Sequence, residues 1–119
     1  MANPNIVNVT TIYGETEAIN ATTANANVVQ NGTSSGAVYK INSLYASNID
    51  GSTAADVSVD LIRLSNTFAL ARTISVPPDS TLTIISKDSS IYLREGDALS
   101  CRASANGDIQ IVCSYEVIS

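Results

Sequence analysis

The chain has 119 residues, 45% of them hydrophobic and 14% charged, with a net charge of −5. That length implies one domain, able to bury a core without a metal or a disulfide. The composition excludes a disordered tail, and six basic residues scattered singly exclude the cation clusters that nucleic-acid phosphates require. No stretch approaches the roughly 20 apolar residues of a membrane span. The start, "MANPNIVNV", has neither a basic n-region nor the apolar run of a signal peptide. A soluble protein made in a cytosol is therefore expected, with neither nucleic acid nor membrane as partner.

The first segment, "MANPNIVNVTTI", sets Ile6, Asn8, Thr10 and Ile12 against Val7 and Val9, so apolar groups fall on both faces. A strand buried on both faces needs more than its own sheet. Residues 1–12 are read as an edge strand or an arm, with Ile6, Val7, Val9 and Ile12 as candidate intersubunit contacts. Residues 14–37 are small, polar and rich in Asn and Thr, with weak strands around 17–22 and 27–30. The three sequons at Asn8, Asn20 and Asn31 are chance in so Asn- and Thr-rich a chain.

From "YKINSLYASN" onward, period-two alternation dominates and no helical stripe is sustained. Asp50-Gly51 marks a turn before "ADVSVDL". There Val57, Val59 and Leu61 should face inward and Asp56, Ser58 and Asp60 should face water. In "ARTISVPPDSTLTII", Pro77-Pro78-Asp79 splits two β-rich runs, because proline cannot donate to a ladder. "YLREGDAL" is a corner. Gly96 supplies positive φ, Asp97 bonds local amides, and Leu93 and Leu99 enter the core. Asn106-Gly107 closes a final hairpin. A three-residue Asn106-Gly107-Asp108 loop would then set Cys101 opposite Cys113, as facing but reduced thiols. Seven to nine short strands separated by turns predict an all-β fold: a single antiparallel β-sandwich of jelly-roll type, residues 1–119.

Candidate chemistry is sparse. Glu95 and Asp97 flank Gly96, but no histidine exists to complete an acid–base, nucleophilic or metal site around them. The Asp56/Ser58/Asp60 stripe lacks the ligand count of a calcium loop. Cys101 and Cys113 lack metal-site spacing. No Gly-rich phosphate loop and no Gly-x-Ser-x-Gly elbow occurs. No catalytic residue, metal or cofactor is expected. The five tyrosines either bury their rings in the sandwich or, if exposed, could stack on sugars.

Three stretches carry a resemblance: "AVYKINSLYASNIDGSTAADVSVDL", "TISVPPDSTLTIISKDSSIYLREGDAL" and "VCSYEVIS". In order and spacing they resemble small virion structural proteins of tailed bacteriophages, notably phages of cyanobacteria. The resemblance covers residues 37–119 and not the Asn-rich first third. It implies a non-enzymatic virion component without a cofactor. Such a protein would be a capsid decoration (cement) protein that binds and stabilises the shell, or a neck, tail or baseplate accessory. Implied partners are other virion proteins, the major capsid protein first, and further copies of the chain as a homo-oligomer such as a trimer. The chain would be made in the host bacterial cytoplasm. The alternative of another class is a carbohydrate-binding module for host-surface attachment.

Overall fold

Nine strands form over the residues that the computed structural model describes, 4–119. They are β1 (Ile12–Asn20), β2 (Ala26–Gln30), β3 (Val38–Asn48), β4 (Ala55–Arg63) and β5 (Asn66–Val76), then β6 (Thr81–Ile85), β7 (Ile91–Leu93), β8 (Ala98–Ala103) and β9 (Ile109–Ile118). One sheet runs β1-β9-β3, with β6 and β7 end to end along the far side of β3; the other runs β2-β8-β4-β5. All pairings are antiparallel and nested: β1 with β9, β2 with β8, β3 with β6 and β7, β4 with β5. The chain is thus one long hairpin, folded over so that its two arms weave through both sheets. Ile41, Leu44, Ile109 and Ile111 from one sheet meet Val57, Val59 and Leu99 from the other, all fully buried. Each contributes about 2 kcal/mol relative to an exposed side chain.

The expected turns lie where the sequence puts them, but they perform a different task. Asp50-Gly51 joins β3 to β4, Pro77-Pro78 joins β5 to β6, and Asn106-Gly107 joins β8 to β9. In each case the flanking strands lie in different sheets. The final hairpin is therefore a correction. Cys101 pairs across strands with Ala26 and Val59, while Cys113 pairs with Glu17 and Leu44. The two thiols are free and buried in the shared core, contributed by opposite sheets rather than facing along one ladder. The physical reason is that inward apolar alternation on β8 and β9 fits a core between two sheets as well as one face of a hairpin.

The hairpin that does form, β4–β5, carries no glycine or asparagine in its turn. Leu64 and Ser65 both sit at positive φ, 51° and 65°, between the paired Arg63 and Asn66. A two-residue turn with both centres at positive φ matches the strand twist, which is why Asn-Gly usually fills it. Here leucine and serine adopt that conformation at a cost.

The water-facing expectation for Ser58 and Asp60 is also corrected. Both are buried. The β4–β5 ladder shifts register twice beside them, and Thr73 takes φ of 54°. In this bulged stretch Arg72 Nη2 donates to Asp60 Oδ1 at 2.9 Å and the Thr73 N–H donates to Ser58 Oγ at 2.9 Å. An extra residue in one strand re-aims side chains, which simple alternation cannot foresee.

Candidate interaction surfaces and the acidic corner

The Glu95-Gly96-Asp97 corner is a clasp between two loops. Gly96 takes φ of 86°. Asp97 Oδ2 accepts from the Arg94 N–H at 2.8 Å and from Arg63 Nε and Nη2 at 3.0 and 2.6 Å. That bond raises the Arg63 pKa above its ordinary value. Glu95 Oε2 accepts from the Gly36 N–H at 3.0 Å. Both carboxylates are thus spent on fixed donors of the fold. Local bonding by Asp97 and burial of Leu93 and Leu99 are as the sequence implies; the ion pair to Arg63 is an addition from another strand.

Asn31, which sequence reasoning missed, completes the clasp. It is fully buried, and its Nδ2 donates to the carbonyls of Ala37 and Leu93 at 2.9 and 3.0 Å while its Oδ1 accepts from Ser35 Oγ at 2.6 Å. Its main chain bonds both Gly96 and Asp97. At another corner Asn48 does the same work: its Nδ2 donates to the carbonyls of Thr53 and Val76, and its Oδ1 accepts from the Asp50 N–H. Asp79, at φ of 54°, donates its N–H to the Asp50 carbonyl, so the Asp50-Gly51 and Pro77-Pro78 crossings brace each other. Asn106 Oδ1 accepts from the Thr23 N–H beside Gly107, whose φ is 83°. Asp50, Gly96, Asp97 and Asn106 therefore tie loops together, and Asp97 lines an open pocket with Arg63, Leu64, Arg94 and Glu95. Among the described residues no three His, Cys, Asp or Glu side chains converge as a metal-ligand set.

Most of the large apolar side chains left in water lie on edges and tips. Val7 is 86% exposed and Ile6 51%. Val9 is half-buried, and Ile12 is exposed but already pairs with Ile118. The arm is accordingly shorter than residues 1–12: Thr10 and Thr11 donate their N–H groups to the Ser119 carbonyl, which anchors the chain to its own sheet from there on. Residues 1–3 of that segment lie outside the described residues. At another surface stand Leu64, 85% exposed at the β4–β5 tip, and Phe68, Leu70 and Ile74 along β5. Of the tyrosines, Tyr115 is buried and stacks on the half-buried Tyr39 with ring centres 5.4 Å apart, whereas Tyr13, Tyr45 and Tyr92 are exposed.

Neither a protein-family model nor any curated protein matches the chain. Two solved structures are similar in fold. One is a chain from the disulfide-linked pili of Bacillus endospore appendages, with a TM-score of 0.54 and 19% identity, covering 100% of this chain and 94% of that one. The other belongs to the acid-stable capsid of Helicobacter pylori bacteriophage KHP30, with a TM-score of 0.55 and 8% identity, covering 93% of this chain and 90% of that one. At such identities the likeness is one of fold: this chain is an antiparallel two-sheet sandwich similar to chains of a bacterial appendage and of a phage capsid.

Proposed function

We propose that the chain is a non-enzymatic structural protein of a phage virion, a capsid decoration (cement) protein that binds the shell and stabilises it. The observation that carries this reading is the distribution of exposed apolar side chains. Leu64 at the β4–β5 tip, Phe68, Leu70 and Ile74 along β5, and Ile6 and Val7 on the arm project from edges of the sandwich. Such side chains suit adhesion to neighbouring proteins. The strain at Leu64 fits the same reading, since backbone held in a sparsely populated region is retained where presenting a side chain matters. A surface with few charges and many Ser, Thr and Asn residues needs little ionic desolvation when copies pack.

The mechanism would be multivalent: many weak apolar and backbone contacts across joints of the shell add up to resistance against internal pressure. The nested strand pairing supports reading the sandwich as a jelly roll. The likeness to a capsid chain supports the virion setting, and with it assembly in the host bacterial cytoplasm. Disulfide-linked polymerisation, the property of the pili that the fold also resembles, is disfavoured here because Cys101 and Cys113 are buried in the core. Exposed Tyr13, Tyr45 and Tyr92 favour one rival, a glycan-binding module.

Cosedimentation separates the two. The purified chain should pellet with purified capsid shells, and Leu64→Asp with Phe68→Asp should abolish pelleting without unfolding the chain. Retention on polysaccharide resin with no binding to shells would favour the glycan module.

A further inference from the structure

We infer that β1 is the assembly edge of this protein and that its occupant is the N-terminal arm, residues 5–9, of a second copy. The inference concerns self-association of the purified chain and does not rest on the virion reading. A two-sheet sandwich has four free edges, and three of them here are blunted. β2 is five residues long with a register break at Asn27/Val29. β5 is long but breaks register twice. The far edge is split into β6 and β7 by the 3-10 turn Lys87–Ser89. Short strands, bulges and interruptions are the devices that stop unwanted edge pairing. β1 has none of them. It pairs with β9 through nine consecutive residues without a shift, contains neither proline nor lysine, and pairs with no second strand among the described residues.

Its only guard is charge. Glu15 and Glu17 stand opposite Tyr115 and Cys113, and Glu17 Oε1 accepts from the Tyr115 hydroxyl at 3.4 Å, so both carboxylates project from the core-side face of an exposed strand. Two β1 strands paired antiparallel in full overlap, Ile12–Asn20 on Ile12–Asn20, would centre on Thr16. Glu15 would then face the second copy's Glu17, and the converse. Like charges directly opposite are destabilising. The guard therefore rejects β1 itself while leaving the edge open to a strand that brings no acid.

The arm is such a strand. From Pro4 to Gly14 the sequence has no charged side chain. Its main-chain bonds before Thr10 are local, from the Asn8 N–H to the Asn5 carbonyl and from the Val7 N–H to Asn5 Oδ1. Ile6 and Val7 are uncovered by their own molecule. Five residues in extended form span about 17 Å, roughly half of the β1 edge. An uncovered apolar segment and an unpaired ladder in one chain satisfy each other when the segment comes from a neighbour. Donor and acceptor are different surfaces, so the contact either closes by reciprocal exchange into a dimer or continues from copy to copy as a ring or an open chain.

The test uses the full chain in solution, with sedimentation velocity over a concentration series and hydrogen exchange read on peptides spanning 12–20. Association is expected, with β1 amides exchanging about ten-fold slower in the assembled state. Ile6→Asp with Val7→Asp alters side chains that lie in water. It should leave the unfolding transition unchanged while abolishing both association and the protection of β1. An acetylated peptide of residues 4–11, added to that variant, should restore the protection without restoring association. A chain that stays monomeric at every concentration, association that survives the double substitution, or a peptide that leaves 12–20 unprotected would each overturn the inference.

Discussion

Arg63 and Asp97 form a two-pronged ion pair on a single oxygen: Nε and Nη2 of the arginine reach Oδ2 at 3.0 and 2.6 Å. The arginine stands at the tip end of β4 and the aspartate at the corner between β7 and β8, so the pair joins two sequence-distant turns. With 4% of the Asp97 side chain exposed and 28% of that of Arg63, water can help the cation but not the carboxylate. Asp97→Asn should cost about 2–4 kcal/mol, because it weakens three bonds and leaves a half-buried guanidinium without its counter-charge. Glu95→Gln should cost less than about 1 kcal/mol, since one neutral acceptor replaces one charged acceptor near the surface. Urea unfolding of the two variants checks the order. Equal losses would mean that the ion pair adds nothing to the corner.

The buried asparagines should be less tolerant than any exposed polar residue. Asn31→Ala leaves the carbonyls of Ala37 and Leu93 without their side-chain donor, and Asn48→Ala does the same to Thr53 and Val76. Each substitution is expected to lower stability by about 2–4 kcal/mol, the cost of stranding buried acceptors. Asn106→Ala, exposed and with one bond to Thr23, should cost about 1 kcal/mol or less. Thermal unfolding followed by circular dichroism ranks the three.

Much of the sandwich is legible in the sequence, and what is not has local causes. Alternation at Val57 and Val59 and the breaks at Pro77-Pro78 and Gly96 place strands and corners correctly, because these residues act on the backbone nearest them. Pairing is a different quantity. Asn106-Gly107 reverses the chain without deciding whether β8 and β9 bond each other or cross between sheets, and the apolar pattern fits both. The β4–β5 hairpin escaped notice because Leu64-Ser65 lacks turn chemistry. β1, Ile12–Asn20, overlaps the weak strand expected around 17–22 but starts earlier; it is exposed on nearly every residue and lacks the apolar alternation that marks a half-buried strand. Of the candidate surfaces, the apolar arm was visible as a pattern, whereas the burial of Asp60 depends on a bulge that no alternation encodes.

Relief of strain at the hairpin tip should raise stability. Leu64→Asn with Ser65→Gly supplies residues that accept positive φ, and is expected to stabilise the fold by about 1–2 kcal/mol. If Leu64 is retained for contact, the same variant should bind shells more weakly. A more stable variant with unaltered shell binding would remove Leu64 from the proposed interface.

Alkaline pH should act on the core. Burial pushes the Cys101 thiol from 9.0 up to about 11 and the Cys113 thiol up to about 12, the latter helped by the Glu17 carboxylate. Burial and the same carboxylate move the Tyr115 hydroxyl from 10.0 to about 12. Because the folded state holds these protons more tightly than the unfolded chain, their contribution is complete below pH 9 and is lost as pH rises towards 11 and 12. Unfolding midpoints should therefore fall above pH 9. Cys101→Ala with Cys113→Ala should flatten the part of that fall which begins nearest 9. Thiol reagents should label neither cysteine in the native protein at pH 8, and both after denaturation.

The proposed role as a capsid decoration protein is tested by the chain's stoichiometry in purified virions, read by quantitative mass spectrometry against the major capsid protein. A decoration protein should be present at a fixed ratio corresponding to hundreds of copies per particle, as repeated sites on a shell require. A handful of copies would place the chain in a neck, tail or baseplate, and its absence from the particle would contradict the virion reading altogether.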